Sequence, residues 1–327
     1  MESTMTELAA STGLILHLQR LSTEDGPGLR TTVFYKGCPL HCRWCHNPES
    51  ISPKAEIQWL AVRCIGCDSC IEICPTDALS HTSEGILRDR ERCTVCGACV
   101  DACPSGAMEI LGTPTSVEDL ASELCKDRAY FEKSGGGVTF SGGEPTLQPG
   151  FTLELAKELK DKGINLALDT CALCSRQTLE EMFPLFDIFL VDFKLIDPVE
   201  HQKWTGAPHE KIMQNIKWLA DKVQKNSAEK TLWIRTPLIP AATFTQANLA
   251  GISAWLAANI GSATDRWELC AFNNLCRDKY TRLDMNWHFN ETGLMTQSDL
   301  DQAGIWARSG GFDPARIFIT GAVKLED

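Results

Sequence analysis

Residues 31–47 read TTVFYKGCPLHCRWCHN. The first five, Thr31 to Tyr35, are β-branched or aromatic, the composition of a buried strand. The strand runs into Cys38-x-x-x-Cys42-x-x-Cys45, a compact set of soft metal ligands. A strand ending on such a set, with strands and helices alternating after it, predicts an α/β fold. Its chemistry should sit at the carboxyl ends of the strands.

Downstream the rhythm supports that class. Strands are predicted at Gly137–Phe140, Ile164–Leu168, Ile188–Val191, Leu232–Arg235 and Trp267–Ala271. Ser116-x-x-Asp119 resembles a capping box and predicts a helix running to about Phe131. Further helices are expected from Phe151 to Lys162 and around Leu179, Ile216 and Ile252. About six βα units with right-handed crossovers predict a partial (β/α)6, TIM-like barrel. Glu144, Asp169, Asp192, Arg235 and Asn273 would then meet at one rim. The rhythm breaks once, which divides the chain into residues 1–52 (start of the barrel with the cysteine loop), 53–112 (an insert) and 113–327 (the rest of the barrel and a carboxyl-terminal segment).

The insert is a repeat. Cys64-x-x-Cys67-x-x-Cys70-x-x-x-Cys74-Pro75 recurs as Cys93-x-x-Cys96-x-x-Cys99-x-x-x-Cys103-Pro104. This is the run of bacterial ferredoxins, and it predicts an α+β ferredoxin-like module with two [4Fe–4S] clusters. In that pattern the fourth cysteine of each run crosses to the other cluster. Cys64, Cys67, Cys70 and Cys103 form one set, and Cys93, Cys96, Cys99 and Cys74 the other. Structural zinc is the alternative, but it needs only two Cys-x-x-Cys hooks and explains neither the third cysteine nor the proline. Single-electron transfer is the evident use of two clusters, with a structural role as the alternative.

The triplet Cys38, Cys42 and Cys45 offers three ligands to a cubane of four irons. An open coordination position marks catalysis more than structure. A zinc site completed by His41 or His46 is the other reading.

Composition narrows the class. The chain has 327 residues and 16 cysteines, 11 of them between Cys38 and Cys103, and a formal charge of −12. The acidic balance argues against nucleic acid or an anionic membrane as partner. The amino end, MESTMTELAASTGLILHL, lacks the basic region of a secretory signal, and no apolar run is long enough to span a membrane. Metal-ligating thiols in a reducing cytoplasm are therefore expected rather than disulfides. Cys125, Cys171, Cys174, Cys270 and Cys276 are left over; Cys171-x-x-Cys174 and Cys270-x5-Cys276 read as buried free thiols, with a further redox or metal site as the alternative.

Gly26-Pro27-Gly28-Leu29-Arg30 leads into the opening stretch, and Ser134-Gly135-Gly136-Gly137, Ser141-Gly142-Gly143-Glu144-Pro145, Asp169-Thr170, Asp192-Phe193-Lys194 and Trp233-Ile234-Arg235 follow in order. Together they resemble the radical S-adenosylmethionine (SAM) enzymes that activate glycyl-radical enzymes, in the subgroup with an inserted two-cluster module. The likeness covers nearly the whole chain. It implies a radical SAM barrel in which Cys38, Cys42 and Cys45 hold a cluster whose open iron is chelated by SAM. Reductive cleavage of SAM would give a 5′-deoxyadenosyl radical that takes hydrogen from a glycine of the partner. It also implies Lys194 at the catalytic centre, and SAM contacts from Trp44, Cys45, His46, Gly142, Gly143, Glu144, Asp169, Asp192, Phe193, Lys194, Arg235 and Asn273. Asp169 and Asp192 would help hold a monovalent cation near the SAM carboxylate. Asn273 stands where relatives often carry histidine; it can hydrogen-bond a ribose hydroxyl but cannot titrate. The implied protein is an oxygen-sensitive oxidoreductase with three [4Fe–4S] clusters, a glycyl-radical enzyme as partner, and a low-potential donor such as flavodoxin or ferredoxin. The alternatives are a radical SAM enzyme with a small-molecule substrate and a non-catalytic electron-transfer protein.

Overall fold

The computed structural model describes residues 11–83 and 85–324. The predicted amino end up to residue 10 and the last three residues of the carboxyl-terminal segment lie outside the described residues. The chain opens with strand β1 (Thr12–Ser22), which the sequence expectation lacked, and turns back into β2 (Arg30–Tyr35). Every β2 residue is buried, which accounts for its unbroken β-branched and aromatic run. The insert supplies β3 (Glu56–Trp59), β4 (Leu79–Thr82), β5 (Gly85–Arg88) and β6 (Met108–Leu111). Beyond it come β7 (Thr113–Ser116), β8 (Gly137–Gly142), β9 (Leu166–Thr170) and β10 (Ile188–Asp192). The chain ends with β11 (Thr231–Leu238), β12 (Arg266–Ala271) and β13 (Ile317–Thr320).

One sheet has the order β13-β12-β11-β10-β9-β8-β2-β1-β7. From β2 to β13 all neighbours are parallel, whereas β1 runs antiparallel to both β2 and β7. The six expected βα units are there, extended by β13 on one side and the β1–β7 pair on the other. Helices Pro149–Asp161, Glu210–Lys225 and Gln246–Asn259 cover the outer face, burying Leu155, Leu159, Ile216, Leu219, Ile252 and Leu256. Each such side chain contributes about 1.5–3 kcal/mol. Strand β11 shows the division of faces. Leu232, Ile234 and Leu238 join the main core, while Trp233 and Arg235 turn to the inner face.

The single helix expected from Ser116 to Phe131 is two, Val117–Cys125 and Arg128–Ser134. The Ser116 cap is present, accepting from Asp119 N at 3.1 Å. The break comes at Asp127, which is turned inward to accept from Thr31 Oγ1 at 2.7 Å and to pair with Arg20. That demand is tertiary and leaves no local mark.

Within the insert, β3 pairs with β6 and β4 with β5, both antiparallel, and each cysteine run carries a one-turn helix, Ser69–Glu72 and Ala98–Asp101. Left-handed backbone recurs at equivalent positions of the two copies: Gly66 and Val95, Asp68 and Gly97, Asp77 and Gly106. In each pair glycine meets the requirement freely and its counterpart does so under strain. Lys36 Nζ reaches Glu56 Oε2 at 2.9 Å and Arg282 Nη1 reaches Gln58 Oε1 at 3.1 Å, tying the insert to the barrel, while Arg90 Nη1 reaches Glu56 Oε1 at 3.0 Å within the insert.

Candidate active site

The inner face at the carboxyl ends of the strands is built by register. Leu190 lies beside Asp169, Asp192 beside Arg235, and Arg235 beside Glu268. Side chains alternate along each strand, so four charged groups on adjacent strands share one wall. Arg235 Nη1 stands 3.6 Å from Asp169 Oδ2, and its Nε 3.2 Å from Glu268 Oε2. Glu268 in turn accepts from Arg266 at 2.7 Å, and Ser141 Oγ donates to Asp169 Oδ2 at 2.5 Å. Burial raises Asp169 to about 7 against the pull of Arg235, with Asp192 adding to the rise. Lys194 leaves the end of β10 and folds its ammonium back onto the Asp192 carboxylate. Burial alone would lower Lys194, yet Asp192 and the nearby Cys42 hold it well above its ordinary value.

The cysteine loop roofs this wall. Gly37 N donates to Ser50 O at 2.7 Å, Cys38 N to Ile51 O at 3.1 Å, and Cys45 N to Cys42 O at 3.0 Å. His41 N and Arg43 N reach the Thr205 and Trp204 carbonyls at 2.8 and 3.1 Å. From the other side Tyr280 Oη donates to Cys45 O at 2.9 Å, and Lys279 Nζ reaches Asn47 Oδ1 at 2.7 Å and Glu49 at 2.6 Å. Burial pushes Cys42 up to about 11 and Cys45 up to about 12, and Cys38 higher still. Thiols so buried give up their protons most readily to a metal, and their backbone is already fixed.

The Gly142-Gly143 pair follows from close packing against this loop. Gly142 has φ +99°, and a Cβ there would lie 2.3 Å from Tyr35 N. A Cβ at Gly143 would lie 2.2 Å from the Gly37 carbonyl oxygen. Gly143 N and Glu144 N donate to Tyr35 O and Gly37 O at 2.9 and 2.8 Å, so strand end and cysteine loop are stitched together. The close approach expected between these glycines and a ligand is thus an approach to the neighbouring strand as well.

A cavity of about 710 Å³ opens between loop and wall. Cys38, Cys42 and Cys45 line it, as do Trp44, His46 and Asn273. So do Gly142, Gly143, Asp169, Asp192, Lys194 and Arg235. Two expected contacts do not. Phe193 faces the other way, into the core against Trp255. Glu144 is fully buried beneath the cavity, with Oε1 accepting from Thr146 N, Thr146 Oγ1 and Thr170 Oγ1 at 3.1, 2.8 and 2.8 Å and Oε2 from Cys171 N at 2.8 Å. Its side chain holds the turn after β8 to the end of β9 and presents nothing to the cavity. Asn273 Nδ2 lies 3.5 Å from His46 Nδ1, while His46 Nε2 is buried without a partner.

Several lining residues were not expected. Ser141, Cys171, Cys270 and Glu24 face the cavity. Cys270 could have been found from its two-residue spacing to Glu268, and Ser141 from its place beside Gly142; Glu24, on the β1–β2 loop, carries no signal. Cys174 and Cys276 are buried elsewhere, in keeping with free core thiols.

The insert has two small cavities of its own. Cys64, Cys67, Cys70 and Cys103 line one, and Cys74, Cys93, Cys96 and Cys99 the other. Ala78 N donates to Cys74 Sγ at 3.3 Å and Ala107 N to Cys103 Sγ at 3.1 Å, equivalent bonds in the two copies. Slight burial acts upward on both thiols, but the surrounding backbone N–H groups bring them below the ordinary value. Among the described residues no three His, Cys, Asp or Glu side chains close on a point for a single metal ion; each quartet lines a small cavity instead.

Comparison with known proteins agrees in kind. Residues 63–107 match a 4Fe-4S dicluster domain, residues 24–83 a 4Fe-4S single cluster domain, and residues 90–244 the radical SAM superfamily. The chain is 39% identical over 293 residues to a trans-4-hydroxy-L-proline dehydratase activating enzyme of Clostridioides difficile, covering 88% of this chain and 94% of that protein. It is 36% identical over 278 residues to a (2S)-3-sulfopropanediol dehydratase activating enzyme of Klebsiella oxytoca, covering 84% and 86%. A benzylsuccinate synthase activating enzyme of Thauera aromatica is 38% identical over 287 residues, covering 86% and 85%.

Proposed function

The chain belongs to the activating enzymes of glycyl-radical enzymes, within the radical SAM superfamily, and we propose that it works through the cavity beneath the Cys38–Cys45 loop. It is an iron–sulfur, SAM-dependent oxidoreductase whose protein substrate is a glycyl-radical enzyme. A bound [4Fe–4S] cluster supplies the electron that splits SAM to a 5′-deoxyadenosyl radical, which takes the glycine hydrogen.

The chain's own residues prepare that event. Cys38, Cys42 and Cys45 would hold the catalytic cluster, and the insert quartets two more, three in all. The Gly142-Gly143 backbone forms the cavity edge nearest the loop, suited to a methionyl amine. Lys194 and Arg235 bring positive charge, and Asp192 with Asp169 acidic groups, to a partly buried wall where such charges act more strongly than in open water. A zwitterionic ligand with a sulfonium centre suits that mixed lining. Trp44 backs the loop, 6.3 Å from the Trp204 ring, and Asn273 offers an amide for a sugar hydroxyl. Lys194 Nζ already pairs with Asp192 Oδ2, so a monovalent cation held by Asp169 and Asp192 would share that carboxylate with Lys194. We further assign a low-potential donor such as flavodoxin or ferredoxin, and a cytoplasmic location; no described helix is long and apolar enough to cross a membrane. The relatives' names cover dehydratases and a synthase, so the proposal is confined to the glycyl radical they share.

The observation that carries it is the convergence of the triplet, the glycine pair and the ionic wall on one cavity. The test is Cys42→Ala in anaerobically reconstituted enzyme. SAM cleavage and the partner's glycyl radical signal should vanish while the insert clusters keep their spectra; unchanged cleavage would refute the site.

A further inference from the structure

We propose that Cys171 is a fourth, exchangeable ligand of the cluster assigned to Cys38, Cys42 and Cys45. Its thiolate closes the open iron while SAM is absent, and SAM displaces it on binding. The proposal rests on that cluster assignment and on the cavity as the SAM site.

Five thiols lie outside the cysteine runs, and place separates them. Cys125, Cys174 and Cys276 belong to the main core. Cys171 and Cys270 both line the cavity, but in different company. Cys270, on β12, stands in the ionic wall, with Arg235, Glu268 and Asp192 as its charged neighbours. Cys171, just beyond β9, packs with Leu40 and Ala207 against the side chains of Cys38 and Cys42. Leu40 is part of the cysteine loop itself, so Cys171 belongs with the roof of the cavity and Cys270 with its wall. The Lys194 ammonium has both Cys42 and Cys171 as neighbours, and a cation so placed favours thiolate over thiol. The loop end of the cavity thus carries four thiols, three from Cys38-x-x-x-Cys42-x-x-Cys45 and one from the neighbouring strand. A four-iron cubane takes four ligands, and the triplet supplies three.

Cys171 also adjoins the edge assigned to the methionyl amine. Cys171 N donates to Glu144 Oε2 at 2.8 Å, and Glu144 directly follows the Gly142-Gly143 pair. Thiol and amine are therefore neighbours with a claim on the same iron, and one excludes the other. The backbone after Cys171 is fixed. Ala172 has φ +56°, a left-handed conformation unfavourable for a residue with a Cβ. Ala172 N donates to Thr170 Oγ1 at 2.9 Å, and Asn215 Nδ2 donates to the Ala172 and Cys174 carbonyls at 2.9 and 3.1 Å. Cys171 itself is 6% exposed, so its side chain is held among the loop cysteines and does not swing out to solvent.

The exchange balances without any electron transfer. With SAM absent, the thiol gives its proton to solvent and a bond forms between its sulfur and the open iron. SAM brings an amine and a carboxylate to that iron, the bond to Cys171 breaks, and the thiolate regains a proton. The cluster keeps its charge state throughout. Its open iron is closed until the cosubstrate is seated.

The test uses anaerobically reconstituted holoenzyme and two readouts other than turnover. The first is SAM affinity by equilibrium dialysis. Cys171→Ala should bind SAM about threefold or more tighter than wild type, because removal of a competing ligand raises the binding-competent fraction. A thiol with only a packing role would leave the affinity unchanged or weaken it. The second is limited oxidation by ferricyanide without SAM, read as the paramagnetic signal of a three-iron cluster. An iron that is not closed is lost first, so Cys171→Ala should give a larger signal than wild type, and added SAM should remove the difference. Cys174→Ala, a core thiol three residues on, should match wild type in both readouts. Cys171→Ser keeps the volume with a weaker ligand; it should shift both readouts in the same direction and carries the comparison if the alanine variant folds poorly. Either readout unmoved in both Cys171 variants would overturn the proposal, as would weaker SAM binding. So would the same shifts in Cys174→Ala, which would trace them to local packing, or in Cys270→Ala alone, which would assign the ligand to the other cavity thiol. A wild-type enzyme that takes up iron for only two clusters would sink the proposed catalytic site instead, and iron content alone shows it.

Discussion

Replacing Glu144 separates two roles that a strand-end carboxylate can play. Its four donors include two backbone N–H groups, Thr146 N and Cys171 N, which cannot turn away as the hydroxyls of Thr146 and Thr170 can. Each buried N–H left without an acceptor costs about 1–3 kcal/mol, so Glu144→Ala should cost about 4 kcal/mol. In a chain of this length that lowers the melting temperature by about 8 °C, taking about 2 °C per kcal/mol. Glu144→Gln keeps one oxygen, which the three donors around Oε1 claim, and turns an amide N–H₂ toward Cys171 N. The cost there is about 2 kcal/mol, or about 4 °C. Because the carboxylate presents nothing to the cavity, SAM affinity of Glu144→Gln should stay within about threefold of wild type, a change of less than about 0.7 kcal/mol. Anaerobic thermal melts followed by tryptophan fluorescence, with SAM binding by isothermal titration, provide both numbers. A Glu144→Gln enzyme that melts like wild type yet binds SAM more than tenfold worse would refute the reasoning and return Glu144 to the ligand.

Other changes test other parts of the molecule. Gly143→Ala should abolish SAM binding and cost at least about 3 kcal/mol, because its Cβ would meet the Gly37 carbonyl oxygen at 2.2 Å; Gly66→Ala, left-handed but with nothing within 4 Å of a Cβ, should cost only about 1 kcal/mol, and comparable losses in melting temperature would contradict the packing account. Asp169 titrates at about 7 in the fold, above its ordinary value near 4, so the folded state holds a proton that the unfolded state has lost. Its contribution to stability is complete below about pH 4 and fades as pH rises through about 7. Melting temperatures of Asp169→Asn should therefore depend less on pH across that window than those of wild type, and parallel curves would show that burial does not govern the group.

What could be read from the sequence was what is local. The cysteine runs are spacing chemistry, and strand β2 announces itself through five apolar or β-branched residues whose neighbours bury both faces. The ionic wall was half legible: Asp169, Asp192 and Arg235 fall on recognisable strands, but Glu268 needed the register of β12 against β11. Phe193 could have been excluded by alternation, since a residue between Asp192 and Lys194 points opposite to both. Glu144 could not, because the positive φ of Gly142 breaks the two-residue phase just before it. The helix break at Asp127 depends on Thr31 and Arg20, distant in the chain. Cys171 and Cys270 read as buried thiols, and only the fold shows that the space beside them is the cavity.

The exposure of the ligands sets an order of failure in air. Cys67 and Cys96 stand in solvent, one in each insert quartet, while the Cys38–Cys45 loop is roofed by Tyr280 and backed by Trp44 and Trp204. Dioxygen arriving by diffusion therefore meets an exposed ligand in each insert quartet directly, and the loop only by way of the cavity. If the insert sites pass electrons to the loop, the enzyme would be starved of reducing power while its catalytic loop was still intact. A brief aerobic pulse should bleach most of the visible absorbance before SAM cleavage with dithionite is lost. If the two decayed together, the roof over the loop would be no shield.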